Sequence, residues 1–304
     1  MSAESVLIPD DRAFSNFKEE CGSEEGWSLT YNKTGMTVWT QTIGGDEEKS
    51  LHKIKCRMAC KDVPAETMYD VLHDIEYRRK WDANVIETFD IGKLTVNADV
   101  GYYSCTTHPY THTHTHTHTH THTRSWRCVC LYVNEAPPRL CLGKCPKPLR
   151  NRDVITLRSW LPMGSDYIII NYSVKHAKYP PKKDMVRAVS IQTGYLIQSH
   201  GPDHCTLTYL AHVDPKGSLP KWVVNKSSHF LAPKAMKKIS KACLKYGEWK
   251  QRHNPGFKPW LYPEQTTLPT IPVSELSIQH ADSLENIDES TLSEMQTREE
   301  RDSD

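Results

Sequence analysis

The sequence predicts an α+β fold: one curved antiparallel sheet with a long helix at its end. Three observations predict it. Residues 52–60 alternate strictly, with Ile54, Cys56, Met58 and Cys60 on one face and Lys53, Lys55 and Arg57 on the other, the pattern of a half-buried antiparallel strand. Further β-rich runs come in pairs joined by short turn segments, as hairpins do. The last long element carries Met236, Ile239, Cys243 and Tyr246 at a 3-4-3 spacing, which places one apolar stripe on a helix.

The elements follow in order. Residues 27–31 and 36–39 are β-rich and flank a turn at Asn32 to Gly35, a hairpin. Pro64 to His73 reads as a helix, with proline at a first helical position and Met68, Val71, Leu72 and Ile75 on one side. Two strands, 154–161 and 167–174, meet at Pro162 to Gly164, and another pair, 187–199 and 205–213, meets at His200 to Asp203. The second strand of that last pair puts Cys205, Leu207, Tyr209, Ala211 and Val213 on one face. The final helix runs from Leu219 to about Lys250 with a break near Pro233. Its other faces carry Lys234, Lys237, Lys238, Lys241, Lys245 and Lys250. A sheet with one long helix against it either packs solidly or leaves a cavity, and the pattern allows both.

Composition narrows the function. The 304 residues hold 38 basic and 37 acidic side chains, so no overall charge argues for nucleic acid. No apolar run approaches the ~20 residues that span a bilayer, and the N-terminus lacks the basic and apolar regions of a signal peptide. A cytoplasmic protein is expected. Five of the ten cysteines, Cys105, Cys128, Cys130, Cys141 and Cys145, crowd into one short region. The other five are scattered singly, as reduced core thiols are. Residues 263–304 are rich in proline, serine and acid, with ten acidic and two basic side chains from Ser274 onward. Such a segment reads as a disordered acidic tail. From Asp214 to Trp260 the balance reverses, with eleven basic and two acidic residues.

Four stretches carry a family resemblance: VLHDIEYRRKWDAN at 71–84, PKPLRNRD at 146–153, YPP at 179–181 and PKGSLPKWVVN at 215–225. In that order they resemble the START family of lipid-transfer domains, in its phosphatidylcholine-transfer branch. The resemblance covers roughly 15–104 and 146–252 of a domain spanning 15–252. It implies a helix-grip fold, with the sheet wrapped around the C-terminal helix to enclose one phospholipid. It also implies a monomeric carrier that touches membranes transiently, with no catalytic residue and no cofactor. The physics suits such a carrier. Two acyl chains hold about thirty methylenes at ~0.8 kcal/mol each, so bare transfer through water costs roughly 24 kcal/mol.

Site residues follow from the same resemblance. Arg78 binds the lipid phosphate, held by Asp82 four residues later, a spacing that a helix allows and a geometry that guanidinium suits. Trp81 belongs to the core. Tyr103, Val154 and Ile191 stand where choline-specific relatives place three aromatic rings, and only Tyr103 is aromatic here. A cage so weakened should accept both phosphatidylcholine and phosphatidylethanolamine. The helix lysines Lys234, Lys237, Lys238, Lys241 and Lys245 are expected to meet anionic head groups. Without the resemblance, the same residues read as a surface ion pair and a solvated helix face.

Two other classes compete with a carrier. A lipid hydrolase would need a nucleophile motif, and the sequence holds no Gly-x-Ser-x-Gly elbow or His-Glu-x-x-His helix. His73, His176 and His212 stand alone. A lipid-sensing adaptor would use the acidic tail as its output, with Thr291 and Thr297 each followed by glutamate three residues on.

The run THTHTHTHTHTHT at 111–123 interrupts this domain. Alternate histidines on an extended chain stand about 7 Å apart on one face. They fix neither a coordination number nor a second shell, so no metal is assigned to them. Relatives run from GYYS directly through WRC to PKP, whereas here Ser104 and Pro146 are parted by about forty residues, with SWRC at 125–128 stranded between. Residues 105–145 are therefore read as an insertion, either disordered or translated from a non-coding AC repeat.

Overall fold

The computed structural model describes residues 5–33, 35–43, 51–105, 151–216 and 232–281. The Thr-His repeat, Cys128, Cys130, Cys141 and Cys145, the first part of the predicted last helix and the tail beyond residue 281 lie outside the described residues.

The predicted hairpins form. Strands β1 (Ser28–Lys33) and β2 (Met36–Ile43) meet at Gly35, whose positive φ of 72° glycine tolerates without strain. β3 (Leu51–Lys61) follows, then helices α1 (Asp11–Gly22), α2 (Ala65–His73) and α3 (Ile75–Trp81) complete the N-terminal half. The remaining strands are β4 (Val85–Thr95), β5 (Ala98–Cys105), β6 (Asn151–Met163), β7 (Asp166–His176), β8 (Met185–Arg187), β9 (Val189–Ser199) and β10 (His204–Asp214). Helix α4 (Ala232–Arg252) and β11 (Leu276–Ile278) end the described chain. The strand order is β1-β2-β3-β10-β9-β7-β6-β5-β4, with β8 added parallel to β6 and β11 antiparallel to β7. Among the described residues no helix is long and apolar enough to cross a membrane.

The inner face of the sheet carries the largest core cluster. Met36, Cys56, Met58, Cys205 and Leu207 meet Met68 and Leu72 of α2 and the predicted stripe Met236, Ile239, Cys243 and Tyr246 of α4. Pro233 stands in the first turn of α4, where its missing N–H has no partner to lose. Asp74, at the joint of α2 and α3, accepts from Tyr246 Oη (3.1 Å) and Lys250 Nζ (2.9 Å), while Tyr77 Oη donates to the Ala242 carbonyl at 2.8 Å. These bonds set the axial position of α4. Lys250, expected on the solvated face, is buried because it closes that pair.

The outer face is not solvated either. Helix α1, capped by Asp10 Oδ1 on Ala13 N–H at 2.8 Å, lays Phe14, Phe17 and Cys21 on Ile168, Ile170, Leu196 and Leu210. Gly194 makes this possible: a Cβ there would meet the Phe17 ring at 2.6 Å. Lys55, expected to face solvent, is fully buried beneath α1. Its ammonium donates to the carbonyls of Glu20 and Ser23 and lies 4.3 Å from the Trp27 ring centroid. Desolvation pushes its pKa below the ordinary lysine value.

Residues 263–281, expected to be part of a disordered tail, are a structured strap. Pro263–Gln265 and Val273–Glu275 form 3-10 turns, and Leu276–Ile278 pairs with Val174–His176. The strap packs Ile271, Val273 and Leu276 on a second outer cluster that includes Ile91, Val100, Ile155 and Leu157. Sparse apolar residues in a polar segment suffice here because the sheet supplies the rest of the core.

Candidate functional site

A cavity of about 650 Å3 lies between the inner face of the sheet and α4. Four of the predicted ligand residues line it: Arg78, Asp82, Tyr103 and Val154. β5 and β6 pair in a register that sets Tyr103 opposite Val154. Ile191 does not line it; Ser190 and Thr193 do. The reason is a bulge. His212 pairs with Gln192 and Val213 with Ser190, so Ile191 is the unpaired extra residue and the alternation changes sense there.

Arg78 and Asp82 share the cavity, yet no ion pair joins them among the described residues. Helix α3 ends at Trp81, and Asp82 is its C-cap with φ −96° and ψ 89°, so the i,i+4 side-chain geometry of a continuing helix is absent. Asp82 instead accepts from Tyr103 Oη at 3.3 Å and from the Asn84 N–H at 3.2 Å. The Arg78 guanidinium donates to the Leu72 carbonyl at 3.2 Å and lies 5.5 Å from the Trp81 ring centroid. Trp81 itself lines the cavity as well as packing on the core. Burial, and then the charge of Asp82, push the Tyr103 hydroxyl well above its usual pKa, so it stays a proton donor.

Several lining groups escaped the sequence reading. Tyr195 and Tyr209 stack across β9 and β10 with centroids 5.0 Å apart, and both line the cavity. Burial raises the pKa of each. Tyr209 sits on the strand face that the alternation identified, but nothing in that pattern separates a cavity wall from a packed core. Arg158 is paired with Asp99 (2.9 Å) and Asp90 (3.3 Å) at the cavity's far end. Burial pushes the Asp99 carboxyl up, against the pull of the guanidinium. The family-like motif ending at Asp153 proves to mark a bidentate ion pair: Arg187 Nε and an Nη reach the two Asp153 oxygens at 2.8 and 3.0 Å.

The lysines divide. Lys234 and Lys238 line the cavity rim, whereas Lys237, Lys241 and Lys245 are exposed along the outside of α4 together with Leu244. The arrangement is a largely apolar enclosure with three guanidiniums, those of Arg78, Arg152 and Arg158, and several phenols on its wall, and a cationic outer helix face. It can hold an amphiphile that carries an anionic group.

The fold and site thus define a binding domain in which one cavity is closed by a helix against a sheet. The START domain model matches residues 12–131 and 143–250. START domain-containing protein 10 of Mus musculus is 64% identical over 301 residues, covering 99% of this chain and 89% of the mouse protein. The phosphatidylcholine transfer protein of Bos taurus is 22% identical over 253 residues, covering 79% of this chain and 99% of that protein. The crystal structure of human STARD10 superposes with a TM-score of 0.76 at 64% identity, covering 92% of this chain and 98% of that one. Human StAR-related lipid transfer protein 5 shares the fold, with a TM-score of 0.55 at 18% identity over 77% of this chain and 94% of that one. The chain belongs to the START domain family, a family of lipid-transfer domains and not of enzymes. The break between the two matched segments, 132–142, falls inside the predicted insertion.

Proposed function

We propose that the chain carries one phospholipid at a time between membranes, working as a monomer from the cytoplasm, and that it accepts both phosphatidylcholine and phosphatidylethanolamine. The observation that carries this reading is the placement of Arg78 on the wall of the 650 Å3 cavity, with the Tyr103–Asp82 pair beside it. A guanidinium suits a phosphate diester, and the apolar remainder suits acyl chains. Of the three positions that carry rings in choline-specific relatives, only Tyr103 provides one, and Ile191 lies off the wall. Tyr195 and Tyr209 supply aromatic faces elsewhere in the cavity, which favours choline without excluding a primary ammonium. The exposed Lys237, Lys241 and Lys245 would meet anionic head groups when the carrier docks.

The test is extraction. Purified protein is incubated with vesicles of phosphatidylcholine, phosphatidylethanolamine and phosphatidylserine in equal amounts, re-isolated, and its lipid measured by mass spectrometry. Both zwitterionic lipids should be recovered, and Arg78→Ala should lose most of each. Recovery of phosphatidylcholine alone would refute the dual preference, and absence of phospholipid would refute the carrier.

A further inference from the structure

A zwitterionic head group brings two charges into the cavity, a phosphate anion and an ammonium cation. Arg78 suits the first, and the second calls for a carboxylate or for aromatic faces. Four carboxylates line the wall: Asp82, Asp90, Asp99 and Asp153. Three of them are already matched by a cation. Arg158 pairs with Asp99 at 2.9 Å and with Asp90 at 3.3 Å, and Arg187 takes both oxygens of Asp153 at 2.8 and 3.0 Å. Among the described residues Asp82 is the one wall carboxylate without a cationic partner.

Its oxygens accept from neutral donors, the Tyr103 hydroxyl at 3.3 Å and the Asn84 N–H at 3.2 Å. Asp82 is half-buried, and a carboxylate in such a place gives up hydration that neutral donors restore only in part. The two bonds hold the carboxylate on the wall, because Asn84 and Tyr103 line the same cavity. Arg78 stands four residues before Asp82 on that wall, about 6 Å away along the axis of α3. An anion site and a cation site therefore neighbour each other. Ring faces are sparse there, since Val154 stands opposite Tyr103 and Ile191 lies off the wall.

We propose that Asp82 is the receptor for the lipid ammonium and sets the balance between head groups: its carboxylate takes the N–H donors of an ethanolamine-type head group while Arg78 takes the phosphate. The inference rests on the phospholipid-carrier reading above and names the residue behind the dual preference. A primary ammonium has three N–H donors, and its bond to a carboxylate is about twice as strong as a bond between neutral groups. A trimethylated ammonium has none and gains instead from ring faces such as the stacked Tyr195 and Tyr209. Pairing with Arg78 would have neutralised this carboxylate. Because α3 stops at Trp81, that pair does not form and the charge of Asp82 is left for the ligand.

A methylation series tests it on the full chain. Vesicles hold equal amounts of phosphatidylethanolamine, its N-methyl and N,N-dimethyl forms and phosphatidylcholine, all with the same acyl chains. These head groups share one charge and carry three, two, one and no N–H donors. The protein is re-isolated and its lipids are measured by mass spectrometry. In the parent, recovery should fall most sharply at the last methyl, where the final donor is lost. Asp82→Asn should flatten the series, lowering each N–H lipid relative to phosphatidylcholine by about tenfold, or ~1.4 kcal/mol. Asp82→Glu should restore part of that ratio. Where Asp82→Asn does not fold, the step in the parent series decides. An equal fall of all four lipids in a folded Asp82→Asn, or a parent series with no step at the last methyl, would overturn the assignment and leave the carrier reading intact. Failure to recover any phospholipid on the parent would overturn the carrier reading, and this one with it.

Discussion

Removing Arg187 should unfold the wall of the ligand cavity at a measurable cost. The Asp153 side chain is fully buried and its partner nearly so, at 0% and 6% exposure. Arg187 makes both bonds of the bidentate pair and also donates to the carbonyls of Tyr179 and Pro180 at 3.3 Å each. Among the described residues the Asp153 carboxylate would keep only the Tyr102 hydroxyl at 3.2 Å. Arg187→Met therefore strands a buried charge, which costs about 3–5 kcal/mol. That is a large part of the ~5–15 kcal/mol that holds an ordinary domain together. The double variant Asp153→Asn/Arg187→Met removes the charge along with its partner and should recover about half of the loss or more. Urea unfolding followed by tryptophan fluorescence reads all three stabilities, and the double-variant cycle isolates the pair. A loss below about 1 kcal/mol for Arg187→Met, or a double variant no better than the single one, would show that the pair is not what anchors β8 to β6.

Two further outcomes follow. Burial holds His73 neutral, well below the usual histidine pKa of 6.5, with Nδ1–H donating to the Tyr69 carbonyl at 3.0 Å. The unfolded chain binds a proton that the folded one refuses, so this histidine takes stability away as pH falls below 6.5, by up to ~1.4 kcal/mol per pH unit. Asp99, raised to about 6, acts in the opposite sense as pH falls from 6 toward 3.8, so the comparison must be with His73→Phe. Between pH 6.5 and 5.5 the parent should lose about 1 kcal/mol more than the variant in urea unfolding; parallel curves would sink the argument. The exposed lysines give the second. Changing Lys237, Lys241 and Lys245 together to glutamine removes up to ~1 kcal/mol of head-group attraction each, so sedimentation with anionic vesicles at low salt should weaken by roughly 100-fold. An unchanged affinity would move the docking face elsewhere.

Much of the inner half of this protein was legible in its sequence. Alternation along 52–60 and 205–213 and the 3-4-3 stripe of α4 identify inward faces, because side-chain direction follows local backbone period. Arg78, Asp82, Tyr103 and Val154 do line one cavity. What faced outward was another matter. Lys55 and Lys250 have ordinary positions in their patterns and are buried nonetheless, one under α1 and one against Asp74. A period says which side a residue takes, not whether a distant segment covers that side.

The same limit separates the rest. Ile191 leaves the wall because one bulge reverses the alternation of β9, and Asp82 leaves Arg78 because α3 stops one residue earlier. The residues after 262 carry too few apolar side chains to fold alone, yet 263–281 form a strap because β4 and β7 lend them a surface and open hydrogen-bonding edges. By itself, then, the sequence determined the strand faces, the amphipathic helix and the family. Tertiary structure alone decided the second face of the sheet, the true partners of the site charges and the strap laid on β4 and β7, since each depends on contacts between segments far apart in the chain.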